Sequence, residues 1–159
     1  MSDVLARIEQ GCTVNETFSE AELPGAVDRS VSYSTFDLKQ TLRADTEPPV
    51  SAVYADEPTG NLSLDLTDID RPTFDNVDAT GLKLQVFMLN NLSETTDVVV
   101  ATGAVNGYDI NDGDDLTVKP GQRVLLFYND SSEDVSGTKK AIDITAGVAE
   151  TYELLMLFG

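Results

Sequence analysis

The sequence predicts an all-β protein, an antiparallel two-sheet sandwich that is jelly-roll-like and has about eight strands. From residue 61 onward, short segments alternate apolar and polar residues, which is the period of a half-buried strand. Turn residues (Asn, Asp, Gly and Pro) separate these segments at intervals of roughly 8–12 residues. The 159 residues, 41% of them hydrophobic, are enough for one domain with a core and appendages.

Residues 1–30 are predicted to form an extended N-terminal arm that carries a short helix, and residues 31–159 to form the β-sandwich domain. Val4, Leu5 and Ile8 share a helical face, and Gly11 is placed to end the helix. A helix of roughly two turns is marginal alone, so the arm is expected to dock on a neighbouring subunit. A frayed chain end is the alternative. The candidate interface residues are the apolar ones of the arm: Val4, Leu5, Ile8, Val14, Phe18 and Leu23.

Segment 30–44 is predicted to be extended, with a change of phase between Tyr33 and Phe36 that indicates a bulge or a change of sheet. Pro48 and Pro49 exclude helix and ladder pairing, and segment 50–54 is a short strand candidate. The next strand is indicated by three leucines at alternate positions, Leu62, Leu64 and Leu66.

The segment 81–90 (GLKLQVFMLN) is predicted to be the central strand. Leu84 and Val86 fall on one face of an extended chain, and Phe87 and Leu89 fall on the other. Large apolar groups on both faces are typical of a strand that is covered on both sides. Further strands are predicted at 97–104, 116–119, 124–128, around 142–144, and at 152–158.

The charge is strongly skewed, with 10 basic against 28 acidic residues and a net charge of −18. Because nucleic-acid affinity depends on Lys and Arg that neutralise phosphates, we expect no nucleic-acid partner. No apolar run is long enough to cross a bilayer, so no membrane partner is expected either. The chain has no His and one Cys, which removes the commonest acid–base group and most structural zinc sites. We therefore predict a protein that is not an enzyme and holds no cofactor.

An acidic turn is the one candidate for a metal, namely calcium. EF-hand spacing fails here, because Gly113 is fifth from Asp109 and Pro120 is twelfth. A looser calcium site is one interpretation, and a solvated acidic turn is the favoured one. The candidate calcium ligands are Asp109, Asn111, Asp112, Asp114 and Asp115.

Tyr108 follows the strong turn pair Asn106-Gly107 and is a candidate ligand-stacking aromatic at a loop tip. The alternative, which we favour, is a turn residue that folds back onto the sandwich.

Several segments in order carry a family resemblance: TLRADTEPPVSAVYA, TGLKLQVFMLNN, GAVNGYDI, LTVKPGQRVLLFYND and KKAIDITAGVAETYELLMLFG. Together they resemble small virion structural proteins, of the head decoration or cement type, from the structural gene modules of tailed bacteriophages and prophages. The resemblance covers roughly residues 40–159. It implies a virion structural role and brings no catalytic residues with it.

A protein at −18 would be repelled by packaged DNA, so the expected position is the capsid exterior. The expected partners are the major capsid protein and further copies of the chain in a homo-oligomer, a trimer being one arrangement, attached through residues 1–30. Synthesis is expected in the host cytoplasm. The alternative function is a tail- or fibre-associated β-sandwich module that binds a host surface ligand such as a glycan, through Tyr108 and the acidic loop.

Overall fold

The computed structural model describes residues 6–10, 14–18, 29–33, 38–71 and 75–159, and within these residues every regular element is a strand. The described residues form two compact units, one within Leu5–Thr41 and one within Leu42–Gly159. The division thus lies later in the chain than the predicted boundary at residues 30 and 31. All-β architecture is confirmed for this part of the chain.

The first unit contains four strands, the last of which ends one residue beyond its boundary: β1 (Ala6–Gln10), β2 (Val14–Phe18), β3 (Arg29–Tyr33) and β4 (Leu38–Leu42). Strand β1 pairs with β4, and β2 pairs with β3 in antiparallel register. The predicted helix is not confirmed, because Ala6–Gln10 is a strand; Val4, Leu5 and Gly11 lie outside the described residues. A helix of two turns leaves most of its backbone groups unpaired, whereas pairing with β4 provides partners along the strand.

The second unit contains eight strands, in agreement with the number predicted. They are β5 (Ala52–Asp56), β6 (Leu62–Asp65), β7 (Leu84–Asn91), β8 (Val98–Thr102), β9 (Leu116–Val118), β10 (Arg123–Phe127), β11 (Ala141–Thr145) and β12 (Tyr152–Phe158). Each corresponds to a segment in which the sequence alternates apolar and polar residues or is apolar throughout.

These eight strands form two four-stranded antiparallel sheets, with the orders β10-β7-β12-β5 and β6-β11-β8-β9. The pairing is nested along the chain. The first of the eight pairs with the last, the second with the seventh, the third with the sixth and the fourth with the fifth. All of these pairs are antiparallel, so the eight strands pair like the two arms of one long hairpin.

One hydrophobic core joins the two sheets. Phe87 and Met156 from the first sheet and Val100 and Ile142 from the second are all 0% exposed and belong to one contiguous cluster. The inner faces of the sheets therefore pack against each other, as in a sandwich. Burial of these side chains is the main source of stability for the unit.

The prediction of a central strand at 81–90 is confirmed. Strand β7 lies between β10 and β12, and its neighbouring residues Val86 and Phe87 are both 0% exposed although they point to opposite faces. Strand β12 is likewise internal, between β7 and β5. Strand β10 lies at the edge of the same sheet.

Candidate functional site

The acidic loop between β9 and the preceding strand is built around its own turn. Asp109 accepts the backbone N–H of Asn111 through Oδ1 at 2.9 Å, and Asn111 Nδ2 donates to the carbonyl of Asp114 at 3.3 Å. Asp112 and Gly113 have φ values of 52° and 86°, which Asp tolerates and Gly favours. Oδ1 of Asp109 and the carbonyl oxygen of Asp114 therefore already accept hydrogen bonds within the turn.

The structure does not assemble the calcium candidates into a ligand set. Among residues 42–71 and 75–159, no group of three or more His, Cys, Asp or Glu side chains is placed to hold a metal ion. Asp112, Asp114 and Asp115 are exposed side chains of the turn.

Tyr108 does not stand at the surface as a stacking group. Its side chain is 0% exposed, and its hydroxyl donates to the carbonyl of Glu133 at 2.7 Å. The same oxygen accepts the backbone N–H of Leu84 at 3.3 Å, and burial raises the pKa of the phenol. The residue folds back into the core, as in the favoured interpretation, and links its loop to β7 and to segment 131–135. Because a buried ring is not accessible to a ligand, the stacking role is wrong.

A groove that sequence reasoning missed lies beside the edge strand β10. It has a volume of about 570 Å³ and runs between segment 109–112, residues 125–128 and segment 131–133. Tyr128 holds the loop beside the strand, since its hydroxyl donates to the carbonyl of Ile110 at 2.8 Å. Burial raises the pKa of this phenol as well, so the hydroxyl stays a hydrogen-bond donor at ordinary pH.

Apolar and acidic residues both line the groove, and we call its acidic lining residues the rim. Leu125 and Phe127 are partly exposed and lie at alternate positions of β10, so they face the same side of the sheet. Asp109, Asp112 and Glu133 supply carboxylates at the rim, and Glu133 forms an ion pair with Lys139. Such a groove suits a ligand that has an apolar part and a positive charge. The available signal was the apolar run VLLFY, which is followed in the sequence by Asp130, Glu133 and Asp134, but only the sheet order shows that the run is an edge.

The candidate interface residues of the arm are only partly described. Ile8 lies in β1, and Val14 and Phe18 lie in β2. Val4, Leu5 and Leu23 lie outside the described residues.

Within the described residues, no helix is both long and apolar enough to cross a membrane. Comparisons of the chain with family models, with curated proteins and with solved structures found no match.

Proposed function

We propose that this chain is a non-enzymatic bacteriophage virion structural protein that decorates or cements the exterior of the capsid. In this role it binds the major capsid protein and forms a homo-oligomer, a trimer being one arrangement. The proposal joins the resemblance of residues 40–159 to virion structural proteins with the charge of the described surface.

The observation that carries the proposal is that basic side chains form ion pairs within the chain. Lys119, Arg123, Lys139 and Lys140 each form an ion pair with a carboxylate of the same chain. The 28 acidic residues of the chain also far outnumber its 10 basic ones, which gives a net charge of −18 and disfavours contact with phosphates. Facing packaged DNA would therefore be unfavourable, whereas the outer surface of the shell carries no such repulsion.

The strand order supports a further inference, that the two sheets form a jelly roll. Nested antiparallel pairing of eight strands, divided between two sheets, is the arrangement expected when one long hairpin is rolled up. Jelly rolls are common in viral capsid proteins and in lectins, which bind partners through loops and edges. The fold alone does not decide between these functions.

The division of the chain supports a separate role for its first residues. Leu5–Thr41 is a compact unit of its own, which supports assigning attachment to a shell subunit to it. We assign the contact with the capsid to this unit, which contains most of the arm.

The test is a binding experiment with purified capsids that lack the protein. Full-length protein should co-sediment with capsids until its sites are saturated, and a variant without residues 1–41 should keep a cooperative thermal transition but remain in the supernatant. Cryo-electron microscopy of the coated capsids should place the density on the outer wall. Density on the inner wall would contradict the exterior position, and full binding by the shortened variant would contradict the role of the arm.

The alternative, a tail or fibre module that binds a host glycan, receives less support. Its proposed stacking group, Tyr108, is buried, so a glycan would need another aromatic platform.

A further inference from the structure

The outer edge of β10 carries unused backbone hydrogen-bonding groups. The backbone N–H of Tyr128 donates to the backbone carbonyl of Gln85 at 3.0 Å, and the backbone carbonyl of Gln122 accepts the N–H of Asn91 at 2.9 Å. In an antiparallel pair the bonding residues alternate, so the even-numbered residues of β10 bond to β7. The N–H and C=O groups of Leu125 and Phe127 then point away from β7. Within the described residues, no hydrogen bond joins them to another group.

This edge lacks most of the features by which sheets prevent pairing with other chains. Proteins usually protect an edge strand with proline, lysine, a bulge or a covering segment. Strand β10, with the sequence RVLLF, is in regular register with β7, and Arg123 is its only charged residue. A groove of about 570 Å³ lies beside residues 125–128 of this edge.

The charge of the groove selects among occupants. Its rim carries Asp109, Asp112 and Glu133, of which Glu133 is already paired with Lys139, in a chain whose net charge is −18. The first 41 residues also contain more acidic than basic residues, so electrostatics disfavours the arm of another copy. A segment with alternating basic and apolar residues fits better. Its backbone would pair with β10, its apolar side chains would cover Leu125 and Phe127, and its basic side chains would approach the rim.

We propose that the groove binds an extended basic segment of a partner protein, which pairs with β10 as a fifth strand of the sheet. In the capsid this segment would belong to the shell subunit, an identification that rests on the proposed function. The preference of the groove for an extended basic segment does not depend on it.

The test uses a fluorescein-labelled, end-capped decapeptide of alternating Lys and Val, titrated with the full-length protein and followed by fluorescence anisotropy. We expect binding that weakens as salt is added. The matching Glu–Val peptide, and a Lys–Val peptide N-methylated at every second residue, should bind at least about tenfold more weakly, because they lose the charge match or the edge hydrogen bonds. Equal binding of all three peptides, or no binding of the Lys–Val peptide, would overturn the proposal.

Two pairs of variants locate the site. Leu125→Pro removes an outward N–H without removing a bond to β7. Ser63→Pro removes an outward N–H on β6, an edge strand of the other sheet, together with the side-chain hydrogen bond from Ser63 to Asp143. Asp112→Asn removes a rim charge while Asn still tolerates positive φ, and Asp115→Asn changes the same loop outside the groove.

Leu125→Pro should abolish peptide binding, and Asp112→Asn should weaken it roughly two- to fivefold. Ser63→Pro and Asp115→Asn should leave it unchanged. Thermal melting checks that each variant is folded. If Leu125→Pro does not fold, the location of the site is tested by comparing Asp112→Asn with Asp115→Asn, and the strand pairing is tested by the N-methylated peptide. Unchanged binding by folded Leu125→Pro, or an equal effect of Asp112→Asn and Asp115→Asn, would refute the site. Because the assay contains no capsid, its result is independent of the virion experiment.

Discussion

Tyr152 places a hydroxyl in the core without a hydrogen-bond partner among the described residues. The side chain is 0% exposed, and burial raises the pKa of its phenol to about 12. An unsatisfied buried hydroxyl costs about 1–3 kcal/mol of stability, because its hydrogen bonds to water in the unfolded chain are not replaced. The ring, in contrast, contributes apolar burial to the core.

We therefore expect Tyr152→Phe to raise the free energy of unfolding by about 1 kcal/mol, measured by urea denaturation. The matched control is Tyr128→Phe, which removes a satisfied hydroxyl that donates to Ile110 and should lower stability by about 1 kcal/mol. A destabilised Tyr152→Phe variant would show that the hydroxyl has a partner.

Gly103 is required by the close approach of another strand rather than by its backbone angles. A Cβ at this position would lie 2.4 Å from Cβ of Ala141 and 2.8 Å from its carbonyl oxygen. Backbone atoms of Ala141 cannot move away without disturbing the start of β11.

Gly103→Ala should therefore lower the unfolding free energy by about 1–3 kcal/mol, as overpacking does elsewhere. Gly137→Ala is the control, because a Cβ there meets nothing within 4 Å. Thermal denaturation of both variants distinguishes this steric cost from a general effect of replacing glycine. Equal midpoints for the two variants would contradict the close approach.

At the scale of the strands, an ion pair joins the end of β6 to the residue before β11. Lys140 donates through Nζ to Oδ2 of Asp65 at 2.5 Å, and Thr67 donates to the other carboxylate oxygen at 2.6 Å. The hydrogen bond from Lys140, followed by that from Thr67, lowers the pKa of Asp65. A lowered pKa in the folded state means that the carboxylate stabilises the fold above its unfolded pKa, and that this contribution is lost as the pH falls through the folded pKa.

Asp65→Asn should thus reduce the loss of stability on acidification from about pH 6 to about pH 3. The difference should stay below about 1 kcal/mol, because the side chain is 43% exposed and solvent screens the pair. Urea denaturation at both pH values measures it. Asp45→Asn, at an exposed site, is the control, and an identical pH dependence in wild type and Asp65→Asn would contradict the coupling.

The strands could be predicted from the sequence more fully than their arrangement. Strands β7 and β12 were predicted because the period of two is a local property of the chain, visible in Val86 and Phe87 or in Leu154 and Met156. The pairing of strands depends on residues far apart in the sequence, such as Phe158 and Ala52, so a local sequence pattern cannot predict it. The groove depends on β10 being an edge, so it was not predictable either.

The N-terminal helix shows a different limit. Ile8 fits a helical face with Val4 and Leu5, but a segment of this length also fits a strand. Pairing between β1 and β4, which are far apart in the chain, favours a strand over a helix for this segment. Tyr108 likewise follows a turn in the sequence, yet its ring fills space between distant segments.

Over the whole molecule, the excess of acidic residues opposes compactness. A net charge of −18 brings like charges closer together in the folded chain than in the unfolded chain. Salt shortens the range of this repulsion, from about 10 Å at 0.1 M to about 3 Å at 1 M.

We expect the thermal midpoint at neutral pH to rise as NaCl is increased from about 0.1 M to about 1 M. The control is the same titration near pH 4.1, the isoelectric point, where the net repulsion is small and the rise should largely disappear. Differential scanning fluorimetry measures both. A midpoint that falls with salt at neutral pH would indicate that attractive ion pairs outweigh the repulsion.

The internal position of β12 has a consequence for biosynthesis. Translation delivers this strand after all the other described strands, yet it must enter between β7 and β5, which have no contact surface with each other until it arrives. The nascent chain therefore emerges from the ribosome with two open, apolar strand edges and without a completed sheet. The sheet can be completed only after β12 has been translated. Chaperones that shield hydrophobic segments would therefore bind the nascent chain before that step.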